Sequence, residues 1–310
     1  MSNTSLTLPA LPLEAWEDTK RTVHLYLQIV GKIRLKLAPR KNHWWYITLY
    51  VSPKGLTTGP VPYAEGVETF ELTLNLRTHQ LELLTSEGAF HTLPLGGGRT
   101  VAAFYHALTE VLGGLGIEAE ILAEPFDMGV EEPFADLTAP APYDPEAVER
   151  FWRVLLWVDG VLKEFSGRFY GKTSPVHLYW HHMDLVVTRF SGKRGPALDP
   201  GMRVSDKDAY SHEVISSGFW AGDENVRGAA FYTYAYPSPS GIDQEVIQPE
   251  AAQWVDSNGS PMAMLMYDDL RAHPDPRQAL LDFLESTYQA GARRAMWPAD
   301  ELTCPPVDML

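Results

Sequence analysis

The sequence predicts an α+β fold: antiparallel sheets with flanking helices, in two related helix-strands-helix halves about a pseudo-two-fold axis. Three observations point there. Segments of helical period bracket blocks of short, β-rich segments set apart by polar corners. The order helix, strands, helix comes round twice in 310 residues. A proline-rich, acidic stretch without apolar period, "PFDMGVEEPFADLTAPAPYDP", separates the two rounds.

The first helix is read from "LPLEAWEDTKRTVHLYLQIVGKIRLKL", where Trp16, Val23, Leu27, Val30 and Ile33 recur at spacings of three, four and seven. Glu14, Glu17 and Asp18 near its start and Lys32, Arg34 and Lys36 near its end complement the helix dipole. "NHWWYITLYVS", "TFELTLNL" and "QLELLTS" are rich in aromatic and β-branched residues and read as strands, with "AFHTLPL" adding another before "GGG" breaks the pattern. "RTVAAFYHALTEVLGGLG" restores a helical period and ends on glycines. "IEAEILAE" alternates and is expected to rejoin the sheet.

After the connector, "YDPEAVERFWRVLLWVDGVLKEF" opens a helix with Asp144 as N-cap and Pro145 at the first helical position, where a missing N–H costs nothing. "SPVHLYW", "DLVVTRF", "AAFYTYAY" and "AMLMY" read as strands, and "DPRQALLDFLESTYQAGARR" as the closing helix. The expected organisation is a first unit over 11–129, a connector over 130–143, a second unit over 144–294 and an irregular tail over 295–310, the two units packed as one compact domain. Matches between the halves include "EA" near the start of each opening helix (Glu14, Ala15; Glu146, Ala147) and a glycine toward its end (Gly31; Gly160).

Composition narrows the function classes. The hydrophobic content is 45% against 21% charged residues, which supports a packed core. A net charge of −15 repels phosphate backbones and anionic headgroups, so neither nucleic acid nor membrane is an expected partner. The single cysteine, Cys304, excludes an internal disulfide, and the N-terminal stretch lacks a basic region followed by an apolar one. A cytoplasmic, soluble protein is expected, and its oligomeric state stays open.

At "GKTSPVHLYW", "DLVVTRFSGKRGP", "YSHEV", "GFWAG" and "HLYLQIVGKIRLKLAPRKNHWWYITLYVSPKGLTTGP" the chain resembles a family of uncharacterised bacterial proteins catalogued as a domain of unknown function, number 5996. The resemblance runs from about Leu11 to the helix ending near Arg294. It implies no activity, cofactor or catalytic residue.

Candidate chemistry therefore comes from the residues themselves. "GKTSPVHLYWHHMDLVVTRFSGKRGP" gathers three histidines, an aspartate and several cations. In one continuous strand His177 and His181 stand roughly 13 Å apart, too far to share an ion. If "HHMD" is a turn, His182 and Asp184 could meet, completed by His212 and Glu213, yet no metal-binding signature backs this and no metal or cofactor is expected. There is no G-x-S-x-G elbow; Ser174, His177, Ser211, His212 and Glu213 are the residues from which a nucleophile, base and orienting acid could be drawn.

The expected site is a pocket for an anionic small molecule, a carboxylate or phosphate. Lys172 and Arg189 from one unit face Arg40 and Lys41 from the other, with Ser174, Trp180 and Asp184 as further ligand-binding residues. His177, His212 and Glu213 supply acid–base chemistry there. The competing reading is a non-catalytic protein whose exposed aromatic strands mediate self-association or docking.

Overall fold

The computed structural model describes residues 8–305, and the chain within them is α+β with two antiparallel sheets. No helix among the described residues is long and apolar enough to cross a membrane. Two compact units can be told apart. The first comprises Glu14–Leu156 and His177–Asp184; the second comprises Trp157–Val176, the chain from Leu185 onward and the N-terminal stretch ending at Leu13. Each is described by itself.

In the first unit, α1 (Glu17–Leu37) is the helix expected from the apolar period, with Glu17 and Asp18 in its first turn and Arg34 and Lys36 in its last. Strands β1 (Tyr50–Ser52), β2 (Gly55–Thr57), β3 (Val61–Tyr63), β4 (Glu68–Asn75), β5 (Gln80–Thr85) and β6 (Phe90–Pro94) follow. They lie in the order β1-β2-β4-β5-β6, with β3 also pairing β4, so that β6 ends the sheet. Across β4 and β5 Leu72 stands opposite Leu83 and Leu74 opposite Leu81, all buried. Helix α2 (Val101–Gly114), capped by the Thr100 hydroxyl on the Ala103 N–H, brings Phe104 against Tyr26 of α1 with ring centroids 4.1 Å apart. Helix α3 (Pro145–Gly167) begins as expected on Asp144, whose carboxylate accepts from the N–H groups of Glu146 and Ala147. The short β7 (His177–Tyr179) completes this unit, with Leu178 bridged to Leu49.

The second unit takes the C-terminal half of α3. Its strands are β8 (Asp184–Arg194, whose first residue belongs to the first unit), β9 (His212–Trp220), β10 (Ala230–Tyr236), β11 (Gln253–Ser257) and β12 (Ser260–Met266). Their order, β11-β12-β10-β9-β8, reverses the last hairpin, so β12 and not β11 lies beside β10. The helices are α4 (Val204–Ala209), α5 (Tyr267–Ala272), α6 (Pro276–Arg294) and α7 (Ala299–Leu302). A Cβ placed on Gly291 of α6 would lie 2.9 Å from Ile215 of β9, so helix and sheet meet almost backbone to side chain.

Two expectations differ from what forms. "IEAEILAE" alternates like a strand, but 117–124 forms no ladder pairs among the described residues. "NHWWYITLYVS" contributes only Tyr50–Ser52 to the sheet; ahead of it His43 and Trp44 turn back on themselves with φ of 56° and 60°.

Candidate functional site

Arg189, expected to emerge from β8 toward a ligand, is instead enclosed by protein. It is 1% exposed. Its guanidinium lies 3.5 Å from the ring centroid of Phe165, 4.4 Å from that of Tyr288 and 5.1 Å from that of Phe169. Nη2 donates to the Phe165 carbonyl, and Nη1 is 3.6 Å from Glu285. Burial pulls its pKa down to about 10 against the opposing pull of Glu285. A planar cation can stack on aromatic rings while its edge bonds a carbonyl, and here that geometry ties α3, β8 and α6 together. Arg189 Nε is buried without a hydrogen-bond partner among the described residues, while the rings, the Phe165 carbonyl and Glu285 surround the rest of the guanidinium.

The other expected residues of the second unit are also taken up locally. The buried Ser174 hydroxyl donates to the Pro175 carbonyl and accepts from the Thr188 N–H, so it is not held for a base. Ser211 Oγ donates to the Asp208 carbonyl and so accepts from His212 Nδ1 at 3.0 Å, the reverse of a serine activated by a histidine. Glu213 accepts from Ser191 at 2.8 Å. Lys172 is exposed, with Nζ 4.7 Å from the Phe190 ring centroid. Its charge, together with that of Arg194, adds to partial burial in lowering the pKa of His212. Lys172 is thus near enough to His212 for its charge to act on it.

The first unit holds the remaining expected residues, His177, Trp180, Asp184, Arg40 and Lys41. Trp180 is buried on α1 with its indole against Gly31, and Lys32 Nζ stands 5.9 Å from its ring centroid. Asp184 is half-buried at the start of β8, and Arg40 and Lys41 are exposed, Lys41 Nζ lying 5.5 Å from the Trp45 ring centroid. Next to the Trp180 indole, His24 Nε2 contacts the His181 carbonyl at 3.0 Å, and His182 pairs with Asp127 at 3.2 Å. Burial pushes His24 down to about 4 and His181 down to about 3. Among the described residues no three His, Cys, Asp or Glu side chains converge in a way that could hold a metal ion.

His177 is the expected residue whose surroundings suit chemistry. It is fully buried on β7. Thr48 Oγ1 donates to the Trp45 carbonyl at 3.2 Å, so it accepts from His177 Nδ1, also at 3.2 Å. That places the ring proton on Nδ1 and a lone pair on Nε2, which is buried and has no partner among the described residues. Burial first, then the charges of Arg34 and Lys41, push its pKa down to about 3.

Arg34 was read in the sequence as a helix-end cation within the basic run "KIRLKLAPRK", not as a ligand-binding residue. Its signal was the apolar period itself: four residues after Val30 and seven after Leu27, it falls on the buried face of α1. The residue is 9% exposed. Nε donates to the Tyr46 carbonyl at 2.7 Å, and the guanidinium carbon is 5.2 Å from the Tyr50 ring centroid. Nη1 is buried without a hydrogen-bond partner, and no carboxylate among the described residues pairs with this cation. Burial lowers its pKa, opposed by Tyr50.

The loop between these two side chains is held under strain. Non-glycine residues with φ above zero cost of order 1–3 kcal/mol each and persist where surroundings dictate them. His43 and Trp44 are two in succession. The loop is fixed by Arg34 at Tyr46, by Thr48 at Trp45 and by the Tyr179 hydroxyl on the His43 carbonyl at 3.4 Å. Cation, base and strained loop thus occupy one neighbourhood of one unit.

Among families of known sequence pattern, the model described as "Family of unknown function (DUF5996)" matches residues 8–304. No curated protein and no solved structure matches the chain.

Proposed function

We propose, for a chain that belongs to the DUF5996 family, that the protein binds a small anionic ligand, a carboxylate or phosphate, through Arg34 with His177 as the proton acceptor beside it. One observation carries this reading: the Arg34 guanidinium is nine-tenths buried with Nη1 unpartnered and no carboxylate to neutralise it. A desolvated cation costs several kcal/mol unless an anion compensates it, and a guanidinium edge suits a carboxylate or phosphate. The lone pair on His177 Nε2 adds a base that could take a proton from a hydroxyl on the same ligand. An enzyme is one use of such a pair and a binding protein another. With a net charge of −15 around it, the site favours a small anion over a polyanion. A reducing, cytoplasmic setting accords with the lone cysteine.

The test is a thermal-shift titration with inorganic phosphate, acetate and lactate at constant ionic strength, on the wild type and on Arg34→Met. A ligand that binds only the folded state raises its melting temperature. Stabilisation by at least one anion in the wild type, absent in the folded variant, is expected. Equal stabilisation of both proteins would refute the assignment, as would a wild type indifferent to all three.

A further inference from the structure

β6 is a strand edge left open. In the β5/β6 hairpin Thr85 N–H donates to the Ala89 carbonyl and, at the other end, Leu95 N–H donates to the His79 carbonyl. The register between them runs without a shift, Leu84 opposite Phe90 through Gln80 opposite Pro94. Bonded and non-bonded pairs alternate along an antiparallel ladder, so His91 and Leu93 bond inward to β5. The N–H and C=O groups of Phe90 and Thr92, and the Pro94 carbonyl, point outward without partners among the described residues.

Side chains alternate with the same period. His91 and Leu93 share the face of the buried Leu81 and Leu83 and line a groove of ≈ 510 Å³ with Ala107, Glu110, Val111 and Leu115 at α2. On the other face Leu84 and Phe90, directly opposed, are 50% and 56% exposed. Natural sheets blunt such edges with lysines, inward charges, bulges or a covering element. Among the described residues β6 has Pro94 at its end and none of the others.

We propose that β6 is the edge by which two copies of this chain pair, antiparallel, about a two-fold axis at Thr92. The strand is complementary to itself in that register. Thr92 exchanges both backbone bonds with its copy, and each Phe90 N–H donates to the other copy's Pro94 carbonyl, so the missing proline N–H removes only the return bond. Phe90 then covers Pro94 of the other copy, and His91 stands opposite Leu93. Charge supports this occupant. On a chain carrying −15, "FHTLP" is a strip without a carboxylate, where acidic copies can meet without setting carboxylates of the strip against each other. The groove's one charged lining residue, Glu110, would receive the incoming histidine instead of a carboxylate.

Sedimentation equilibrium of the full chain tests this, with Thr92→Pro, which deletes the outward N–H and no bond to β5, and Phe90→Asp, which alters an exposed side chain. Circular dichroism checks the fold of each. The expected wild-type mass is twice the chain's 34.7 kDa, falling to the monomer in whichever variants fold. A wild type that stays monomeric to its solubility limit overturns the proposal. So does a dimer that persists in folded Thr92→Pro or Phe90→Asp, which would place the interface elsewhere.

Discussion

The indole of Trp180 lies so close to Gly31 that a Cβ built on the glycine would stand 2.2 Å from the ring. A glycine in the middle of a helix costs roughly 1 kcal/mol relative to alanine, and here the cost is offset by seating a buried tryptophan directly on the α1 backbone. Gly31→Ala should therefore lower stability by about 1–3 kcal/mol, the usual range for overpacking, despite its better helix propensity. Urea unfolding measures it. A stabilised Gly31→Ala protein would show that the contact relaxes freely.

Arg189→Lys should cost about 2 kcal/mol or more, because an ammonium cannot stack on Phe165 and Tyr288 while reaching both the Phe165 carbonyl and Glu285. Denaturant midpoints of the variant and wild type give the value. Unchanged anion binding in the folded variant is also expected, since both Nη atoms are engaged by protein and the residue is 1% exposed. A variant that keeps full stability but loses binding would return Arg189 to the site.

Acid should destabilise the fold well before the carboxylates titrate. His24, His177 and His181 have folded-state pKa values pushed down by burial to about 4, 3 and 3, against about 6.5 when unfolded. Between those limits the unfolded chain binds more protons, so stability is full above about pH 7 and declines as pH falls, by up to about 1.4 kcal/mol per pH unit per histidine. Denaturant midpoints from pH 7.5 to 4.5 follow it. His24→Gln should flatten the slope by about one proton; an unaltered slope would mean His24 is solvated when folded.

Anion binding at Arg34 should take up protons. A negative ligand beside His177 raises its pKa from about 3, so the complex holds more protons than the free protein and affinity rises as pH falls. Calorimetry in two buffers of different ionisation enthalpy reads the proton count directly. Release of protons on binding, or affinity that rises with pH, contradicts a base at Nε2.

How much of this was readable beforehand depended on whether the cause was local. The apolar period of α1 and the Asp144-Pro145 start of α3 are set within a turn or two of chain, and both helices form where the sequence puts them. The same period placed Arg34 on the buried face, though its meaning depends on Thr48, Tyr46 and His177, which no pattern links to it. Arg189 was legible as the end of an apolar run, but its enclosure comes from Phe165 and Glu285, 24 and 96 positions away. β9, "HEVISSGFW", escaped notice because serine and glycine interrupt its alternation; its burial comes from neighbours on both sides, β8 and β10.

Because His177–Asp184 belongs to the first unit although Trp157–Val176, ahead of it, belongs to the second, the first unit is not contiguous in the chain. During synthesis from the N-terminus, its helices α1 and α2 and its sheet leave the ribosome before Trp180, the side chain that closes over Gly31. Until residue 184 has emerged, Gly31 lacks the indole that covers it in the folded protein, and exposed apolar surface on a nascent chain favours aggregation. Any fragment ending before residue 177, however well it matches the boundary of a helix, lacks this cover and the histidine beside Arg34.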